Sequence, residues 1–188
     1  MTLTPINSGW IEVICGSMFS GKTEELIRRI RRAQIAKMPT AIFKPEIDSR
    51  YSEEHIVSHN QKKMVSYVIK TPSDILKVGL DNKVIGIDEA QFFDNSLINV
   101  SRELASKGKR VIVAGLDTDY RGLPFGIMPE MMCEADYLDK LRAICIKCGD
   151  PASYTQRTTS DNDQVVIGEF DKYEARCRNC FQNPQNQS

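Results

Sequence analysis

Gly16-Ser17-Met18-Phe19-Ser20-Gly21-Lys22-Thr23 fits the pattern G-x-x-x-x-G-K-[ST], and its surroundings set the architecture of the chain. The apolar run Ile11–Cys15 before it predicts a buried strand, and Glu24–Ala36 after it predicts a helix. Glycines let a loop curl so that successive N–H groups point inward, and the following helix N-terminus adds partial positive charge. The stretch therefore predicts a phosphate-binding loop in which Lys22 reaches the β- and γ-phosphates and Thr23 holds Mg²⁺.

Composition limits the class of protein. The chain has 188 residues, 41% of them apolar, which is enough for one domain with a small appendage. Lys plus Arg equals Asp plus Glu at 25 each, and this balance argues against nucleic acid or an anionic membrane as the main partner. The first ten residues do not have a signal-peptide pattern, and the sequence contains no apolar run of about 18 residues. We expect a cytoplasmic protein without a membrane partner.

Short apolar runs alternate with helical patterns over residues 1–140. The predicted strands are Ile11–Cys15, Thr40–Phe43, Val65–Ile69, Val84–Ile87 and Val111–Ala114. The predicted helices are Glu24–Ala36, Ser73–Gly79 and Leu97–Lys107. This alternation is typical of an α/β domain with a mostly parallel sheet flanked by helices. We expect a nucleotide-binding domain at 1–140 and a smaller lobe at 141–188.

Two stretches of this domain have less specific patterns. Glu46–Lys63 is polar and predicts a long loop or a weak hairpin. The helix after the glycine loop has a basic cluster, which predicts a solvated face or a subunit contact: Arg28, Arg29, Arg31 and Arg32. Its apolar residues recur at helical spacing and predict a core-facing side: Leu26, Ile27, Ile30, Ala33 and Ile35.

Acidic residues follow two of the predicted strands. Asp88-Glu89 comes directly after Val84–Ile87, and Leu116-Asp117 follows the next strand. Ligands of parallel sheets lie beyond the carboxyl ends of the strands, so we expect these residues to converge on the glycine loop. Asp88 is in the position of an acid that orients Mg²⁺, and Glu89 is placed to accept a proton. If water attacks the phosphate, the protein is an ATPase, and if a substrate alcohol attacks it, the protein is a kinase. The alternative is that Asp88-Glu89 only caps the next segment and has no chemical role.

Four of the six cysteines form two C-x₂-C pairs, Cys145 with Cys148 and Cys177 with Cys180. Four thiolates in this arrangement suit a structural, tetrahedral Zn²⁺. The 28 residues between the pairs exceed the usual ribbon spacing, which indicates a loop held at both ends. An iron–sulfur cluster and two disulfides are the alternatives, the latter disfavoured by the expected compartment. Cys15 and Cys133 are expected to be buried apolar residues.

Taken together, these motifs resemble the type II thymidine kinases, a tetrameric, zinc-containing family, from about Gly9 to Cys180. Beyond the stretches quoted above, the matching motifs are Lys44-Pro45, Asp48-Ser49-Arg50-Tyr51, Ser58-His59-Asn60, Asp88-Glu89-Ala90-Gln91-Phe92-Phe93, Arg121-Gly122-Leu123-Pro124-Phe125-Gly126 and Tyr154-Thr155-Gln156-Arg157. Gly168 and Tyr173 match as well. The resemblance implies a P-loop, RecA-like α/β fold with a zinc-ribbon-like lobe and a lasso loop.

The resemblance also implies residue roles. Glu89 matches the catalytic base, Arg50 matches an arginine that steadies the phosphates, and Thr23 with Asp88 matches the magnesium pair. The residues implied to bind the nucleotide are Gly16, Ser17, Met18, Phe19, Ser20, Gly21, Lys22, Thr23, Asp88, Glu89, Ala90 and Gln91. Those implied to surround the nucleoside are Met18, Phe92, Leu116, Tyr120 and Phe125, and those implied for the lasso loop are Thr155, Val166, Gly168 and Tyr173.

The implied activity is phosphorylation of the 5′-hydroxyl of thymidine by ATP with Mg²⁺, with deoxyuridine as a weaker substrate. The resemblance further implies a structural Zn²⁺, a homotetramer and feedback inhibition by dTTP, and no nucleic-acid partner is expected. Ser17 stands where the family often has proline, and Tyr120 where phenylalanine is common. A nucleic-acid motor with an Asp88-Glu89-Ala90-Gln91 acid box, or a kinase for another nucleoside, are the alternatives.

Overall fold

The computed structural model describes residues 8–46, 55–57, 63–158 and 172–181, with the backbone alone at 55–57 and 63–65. The strands, in chain order, are β1 (Trp10–Gly16), β2 (Thr40–Pro45), β3 (His55–Val57), β4 (Lys63–Val65), β5 (Tyr67–Ile69), β6 (Val84–Ile87), β7 (Arg110–Gly115), β8 (Tyr137–Leu141), β9 (Ala143–Ile144), β10 (Pro151–Ala152), β11 (Tyr154–Arg157) and β12 (Tyr173–Arg176). The helices are α1 (Lys22–Ile35), α2 (Ser73–Gly79), α3 (Ser96–Ser106) and α4 (Met128–Glu134), with a 3₁₀ turn at Ala90–Phe92.

Six strands form one sheet in the order β5-β2-β6-β7-β1-β8, and every neighbouring pair in it is parallel. Because β1 is paired on both sides, the loop that follows it leaves from the interior of the sheet. Because the strands are parallel, the carboxyl ends of β1, β6 and β7 lie at the same end of the sheet, as the sequence predicted. The candidate site lies at this end.

Two apolar cores cover the two faces of the sheet, since side chains alternate between faces along each strand. One face packs on α2, α3 and α4 and includes Phe43, Ile85 and Val113. The other packs on α1 and includes Ile14 and Ile112. The result is a three-layer α/β/α domain.

Several predicted elements are confirmed and others are corrected. The strands predicted at Thr40–Phe43, Val84–Ile87 and Val111–Ala114 are present. Val65–Ile69 is divided between β4, which pairs with β3, and β5, which pairs with β2. The weak-hairpin alternative is correct for the described backbone, where β3 pairs antiparallel with β4. Ile35 is wrong as a core residue, since it is 83% exposed at the end of α1. The sequence did not predict α4 or β8.

The C-terminal part of the described chain consists of short antiparallel pairs. β9 pairs with β10, and β11 pairs with β12. Its small core contains Ala143, Ala152 and Ala175 together with two of the cysteines, and Phe19 from the glycine loop packs against it. This lobe therefore rests directly on the loop that follows β1. Within the described residues no helix is long and apolar enough to cross a membrane.

A buried ion-pair network joins α1 to three strands. Glu12 on β1 is 6% exposed and accepts hydrogen bonds from Arg110 at 2.6 Å, Arg29 at 2.7 Å and the Trp10 indole at 2.7 Å. Arg29 also donates to Asp139 on β8 at 2.6 Å. Arg29 is thus not part of a simple solvated face, and it fastens the helix to the edge strand. Burial acts to raise the pKa of Glu12, but the donors outweigh it and hold that pKa below its ordinary value.

We predict that Glu12→Gln lowers the free energy of unfolding by about 3 kcal/mol at pH 7, because it leaves two partly buried arginines without their buried carboxylate. A carboxylate whose folded pKa is lowered stabilises the protein above the unfolded pKa and loses that contribution as the pH falls through the folded pKa. Wild-type stability should therefore fall below about pH 4.5, and the variant should fall less steeply. Urea unfolding across this range measures both, with the exposed Glu103→Gln as control, and equal slopes would contradict the network's role.

Candidate active site

The glycine loop lies between β1 and α1, so the strand–loop–helix context is confirmed. Gly16 ends β1 with φ 142°, and a Cβ there would lie 2.4 Å from the carbonyl oxygen of Leu141. Gly21 has φ 86° and immediately precedes α1, which begins at Lys22 rather than at Glu24. The N-terminus of a 14-residue helix therefore lies directly after the glycine loop, an arrangement that binds anions.

Lys22 is buried within this loop at 9% exposure. Its Nζ donates to the carbonyl oxygen of Ser17 at 2.7 Å, and the Ser20 hydroxyl donates to the same oxygen at 2.8 Å. Burial lowers the pKa of Lys22, while the nearby charges of Glu89 and Asp88 act to raise it. The lysine therefore lies close to both members of the acid pair.

The acid pair follows β6 and faces the loop. The Thr23 hydroxyl donates to Asp88 Oδ2 at 3.1 Å, which brings the two residues predicted to organise Mg²⁺ together. A hydroxyl and a carboxylate oxygen are ligands that suit Mg²⁺. Glu89 has left-handed backbone angles, φ 52° and ψ 41°, which cost about 1–2 kcal/mol for a residue with a side chain. Its side chain makes no capping hydrogen bond to the 3₁₀ turn, so the capping alternative is not supported for Glu89.

Gln91 connects Glu89 with the neighbouring strand. Its Nε2 donates to Glu89 Oε2 at 2.5 Å, and its Oε1 accepts from the backbone N–H of Leu116 at 2.9 Å. Gln91 is 3% exposed. The sequence placed Gln91 with the nucleotide, whereas its amide contacts the acid pair and the end of β7.

The residues expected around the nucleoside meet in two groups. Phe92 and Phe125 contact edge to face, with ring centroids 5.7 Å apart. Arg157 lies between Tyr120 and Tyr173, with its guanidinium 3.6 Å from the first ring centroid and its Nη2 donating to the second hydroxyl at 3.0 Å. The sequence did not assign Arg157 a role, although it ends the quoted motif Tyr154-Thr155-Gln156-Arg157.

The lobe also contacts the glycine loop. The backbone N–H of Met18 donates to the Thr155 hydroxyl at 3.0 Å, and the Ser17 hydroxyl donates weakly to the Ala152 carbonyl at 3.5 Å. Thr155 and Tyr173 are on β11 and β12 rather than in a loop, because these strands pair with each other. Other residues named from the sequence lie outside the described residues: Asp48, Ser49, Arg50, Tyr51, Ser58, His59, Asn60, Val166 and Gly168.

Leu116 and Asp117 follow β7, as predicted. Leu116 reaches the acid pair through Gln91, whereas the buried Asp117 carboxylate forms an ion pair with Lys140 on β8 at 2.6 Å. This pair raises the pKa of Lys140. Asp117 therefore joins the loop edge to β8.

The four paired cysteines form one cluster, Cys145, Cys148, Cys177 and Cys180, and their sulfur atoms all lie within 4.8 Å of one another. Tetrahedral Zn²⁺ with Zn–S bonds of about 2.3 Å separates its ligand sulfurs by about 3.8 Å, so the cluster is compatible with zinc. All six cysteines are free thiols, which contradicts the two-disulfide alternative.

Backbone donors favour the thiolate form of one cysteine in this cluster, Cys145. Burial acts to raise the pKa of Cys145, but backbone N–H groups of Cys177, Lys147 and Cys148 lower it to about 6. Outside the cluster, Cys15 is buried as expected, and burial raises its pKa to about 11. Cys133 is exposed on α4, so its expected burial is wrong.

Comparison with known proteins gives concordant matches. A family model described as thymidine kinase matches residues 9–181. The chain is 55% identical over 177 residues to "Thymidine kinase" of Rhodothermus sp. (strain ITI 518), covering 94% of this chain and 83% of that protein. It is 55% identical over 173 residues to "Thymidine kinase" of Bacteroides thetaiotaomicron, covering 92% and 87%. The genome packaging NTPase B204 from Sulfolobus turreted icosahedral virus 2 in complex with sulfate has a TM-score of 0.45 and 18% identity over 74% of this chain and 76% of that one.

We predict that Cys177→Ser removes the bound metal and unfolds the C-terminal lobe, because structural zinc contributes about 10–16 kcal/mol of apparent binding energy. Metal analysis of the purified chain and protease sensitivity after Leu141 measure the two effects. Cys133→Ser is the matched control and should keep the metal, since Cys133 is outside the cluster. A Cys177→Ser protein with a full zinc complement, or a wild-type protein containing iron, would contradict this assignment.

Proposed function

The chain belongs to the thymidine kinase family, and from that premise we propose that it transfers the γ-phosphate of ATP to the 5′-hydroxyl of thymidine. The products are dTMP and ADP, and deoxyuridine is a weaker substrate. One observation carries the proposal: the hydrogen bond from Thr23 to Asp88 places the phosphate loop against the acid pair. A donor triphosphate on the loop and an acceptor alcohol near Glu89 then share one site.

The chemistry follows from this arrangement. Glu89 takes the proton from the 5′-hydroxyl, the oxygen bonds to the γ-phosphorus, and the bond from that phosphorus to the β–γ bridging oxygen breaks. Lys22 and the loop amides stabilise charge on the phosphate oxygens, and Arg50 joins them. Thr23 and Asp88 would hold Mg²⁺, which supplies further charge neutralisation when bound.

Nucleoside recognition is assigned to the aromatic and apolar residues of the same edge. Phe92, Phe125, Leu116 and Met18 surround the base, with the thymine methyl beside Met18. Since one methyl contributes only about 1–3 kcal/mol, deoxyuridine is accepted with lower efficiency. The proposed surroundings of the base are completed by Thr155, Val166, Gly168, Tyr120 and Tyr173.

The lobe at 141–188 serves as the anchored lid of the domain at 1–140. The four cysteines would hold Zn²⁺, which would fix both ends of the segment assigned to cover the base. The cluster geometry and the contact of Met18 with Thr155 support this division of labour.

The assembly and its control are proposed from family membership. The protein is a cytoplasmic homotetramer, with α1 and α3 as candidate subunit surfaces. Inhibition by dTTP follows if its nucleoside occupies the acceptor position and its phosphates reach toward the glycine loop.

We predict that Glu89→Gln lowers kcat by about 10²- to 10⁴-fold, because the amide cannot accept the hydroxyl proton. Binding of ATP should stay within about twofold, since the loop is untouched. Steady-state kinetics with thymidine and fluorescence titration with an ATP analogue measure the two, with the exposed Glu130→Gln on α4 as control. Full activity of Glu89→Gln would remove this residue from its role.

A substrate panel tests the proposed specificity. With ATP and Mg²⁺, thymidine should be phosphorylated with a kcat/KM about 5- to 150-fold above that of deoxyuridine, and deoxyadenosine and deoxyguanosine should be excluded by size. Product formation from labelled ATP measures each rate. Preference for another nucleoside would change the substrate, and ATP hydrolysis stimulated by DNA without any nucleoside would replace the kinase with a nucleic-acid motor.

A further inference from the structure

We propose that Gln91 is a positioning residue that holds the Glu89 carboxylate in its reactive orientation. Its side chain is one arm of a relay that runs from the backbone of β7 to the base. This inference rests on the proposed function, because it assigns Gln91 a part in the action of Glu89.

The direction of the relay is set by the chemistry of its partners. A backbone N–H can only donate, so the Leu116 amide fixes the oxygen of the Gln91 side chain on its own side. The nitrogen then has to face Glu89, where it donates at 2.5 Å. A glutamine held in this way presents a donor, and never an acceptor, to the carboxylate.

Gln91 has little room to move. It is 3% exposed, a Cβ at Gly115 would lie 2.9 Å from its Oε1, and a Cβ at Gly126 would lie 2.2 Å from its carbonyl oxygen. A side chain at either Gly115 or Gly126 would therefore collide with Gln91. The enclosure fixes the amide, and the amide fixes one oxygen of Glu89.

The carboxylate needs such a guide because its backbone is unusual. Glu89 is the residue with φ 52° between β6 and the 3₁₀ turn, and its N–H donates to Asp88 at 3.0 Å. The charged groups that the described residues place around it include Lys22 and Asp88. The hydrogen bond from Gln91 to one carboxylate oxygen sets the orientation in which the Glu89 carboxylate meets the acceptor hydroxyl.

Gln91→Glu is the discriminating variant. It keeps an oxygen for the Leu116 N–H and changes only the group that faces Glu89, from a donor to a second carboxyl. We expect kcat at pH 7 to fall about 10- to 100-fold, because an ionised carboxyl at position 91 can only accept hydrogen bonds and no longer holds the Glu89 oxygen. KM for ATP should change by less than about twofold, and Gln91→Met, which has neither group, should also lower kcat with KM for ATP unchanged.

The outcomes separate the possible roles. An unchanged kcat in Gln91→Glu would overturn the proposal, as would a raised KM for ATP alone, which would make Gln91 a nucleotide contact. In the Glu89→Gln background, Gln91→Glu should have no further effect on kcat. An equal loss in both backgrounds would show that Gln91 does not act through Glu89.

A spectroscopic readout keeps this inference distinct from the proposed function. The Gln91 side-chain ¹⁵N–¹H signals, assigned by their absence in Gln91→Met, should shift in Glu89→Gln and stay unchanged in the control Glu130→Gln, because the Gln91 amide donates to Glu89. If thymidine is not phosphorylated but these signals still respond to Glu89→Gln, the function fails and the relay stands. If thymidine is phosphorylated but the signals ignore Glu89, the relay fails alone.

Discussion

Gly16 has no room for a side chain, and this determines how the chain leaves the sheet and where α1 begins. β1 is paired on both sides, and a Cβ at Gly16 would lie 2.4 Å from the Leu141 carbonyl oxygen of its neighbour β8. The chain must therefore turn out of the sheet at a residue without a side chain, with a φ of 142° that few other residues adopt. The turn lets α1 begin six residues later. It thereby brings Thr23, in the first turn of α1, within hydrogen-bond distance of Asp88.

The loop made in this way is supported by the C-terminal lobe as well as by the sheet. Met18 donates to Thr155, and Phe19 packs on the small core that contains Cys145 and Cys177. The cysteine cluster that joins the ends of the lobe's strands therefore also supports one side of the glycine loop. Stability of the lobe and order at the glycine loop are coupled through these contacts.

The sequence predicted the features whose causes are local. The glycine spacing, four of the five predicted apolar runs and the cysteine pairs each reflect a requirement satisfied within a few residues, so the loop, β1, β2, β6, β7 and the cysteine cluster were predictable. The missing features depend on partners far along the chain. The side-chain oxygen of Gln91 accepts a hydrogen bond from Leu116, 25 residues away, and the Arg157 guanidinium lies over the ring of Tyr120. Neither contact produces a periodic pattern in the sequence, so hydrophobic periodicity could not predict it.

β8 is the clearest example of an element that the sequence did not predict. It is an edge strand whose sequence is polar and partly exposed, whereas the central strands are apolar. Its place at the edge of the sheet is held by charges instead: Asp139 receives Arg29 from α1, and Lys140 pairs with Asp117 from the end of β7. Edge strands with such residues resist further pairing, which protects an exposed row of backbone groups. The first cysteine of the cluster follows this strand by only four residues. The ion pairs therefore fix the end of β8 relative to the sheet, and the lobe that begins after β8 is held in place beside the glycine loop.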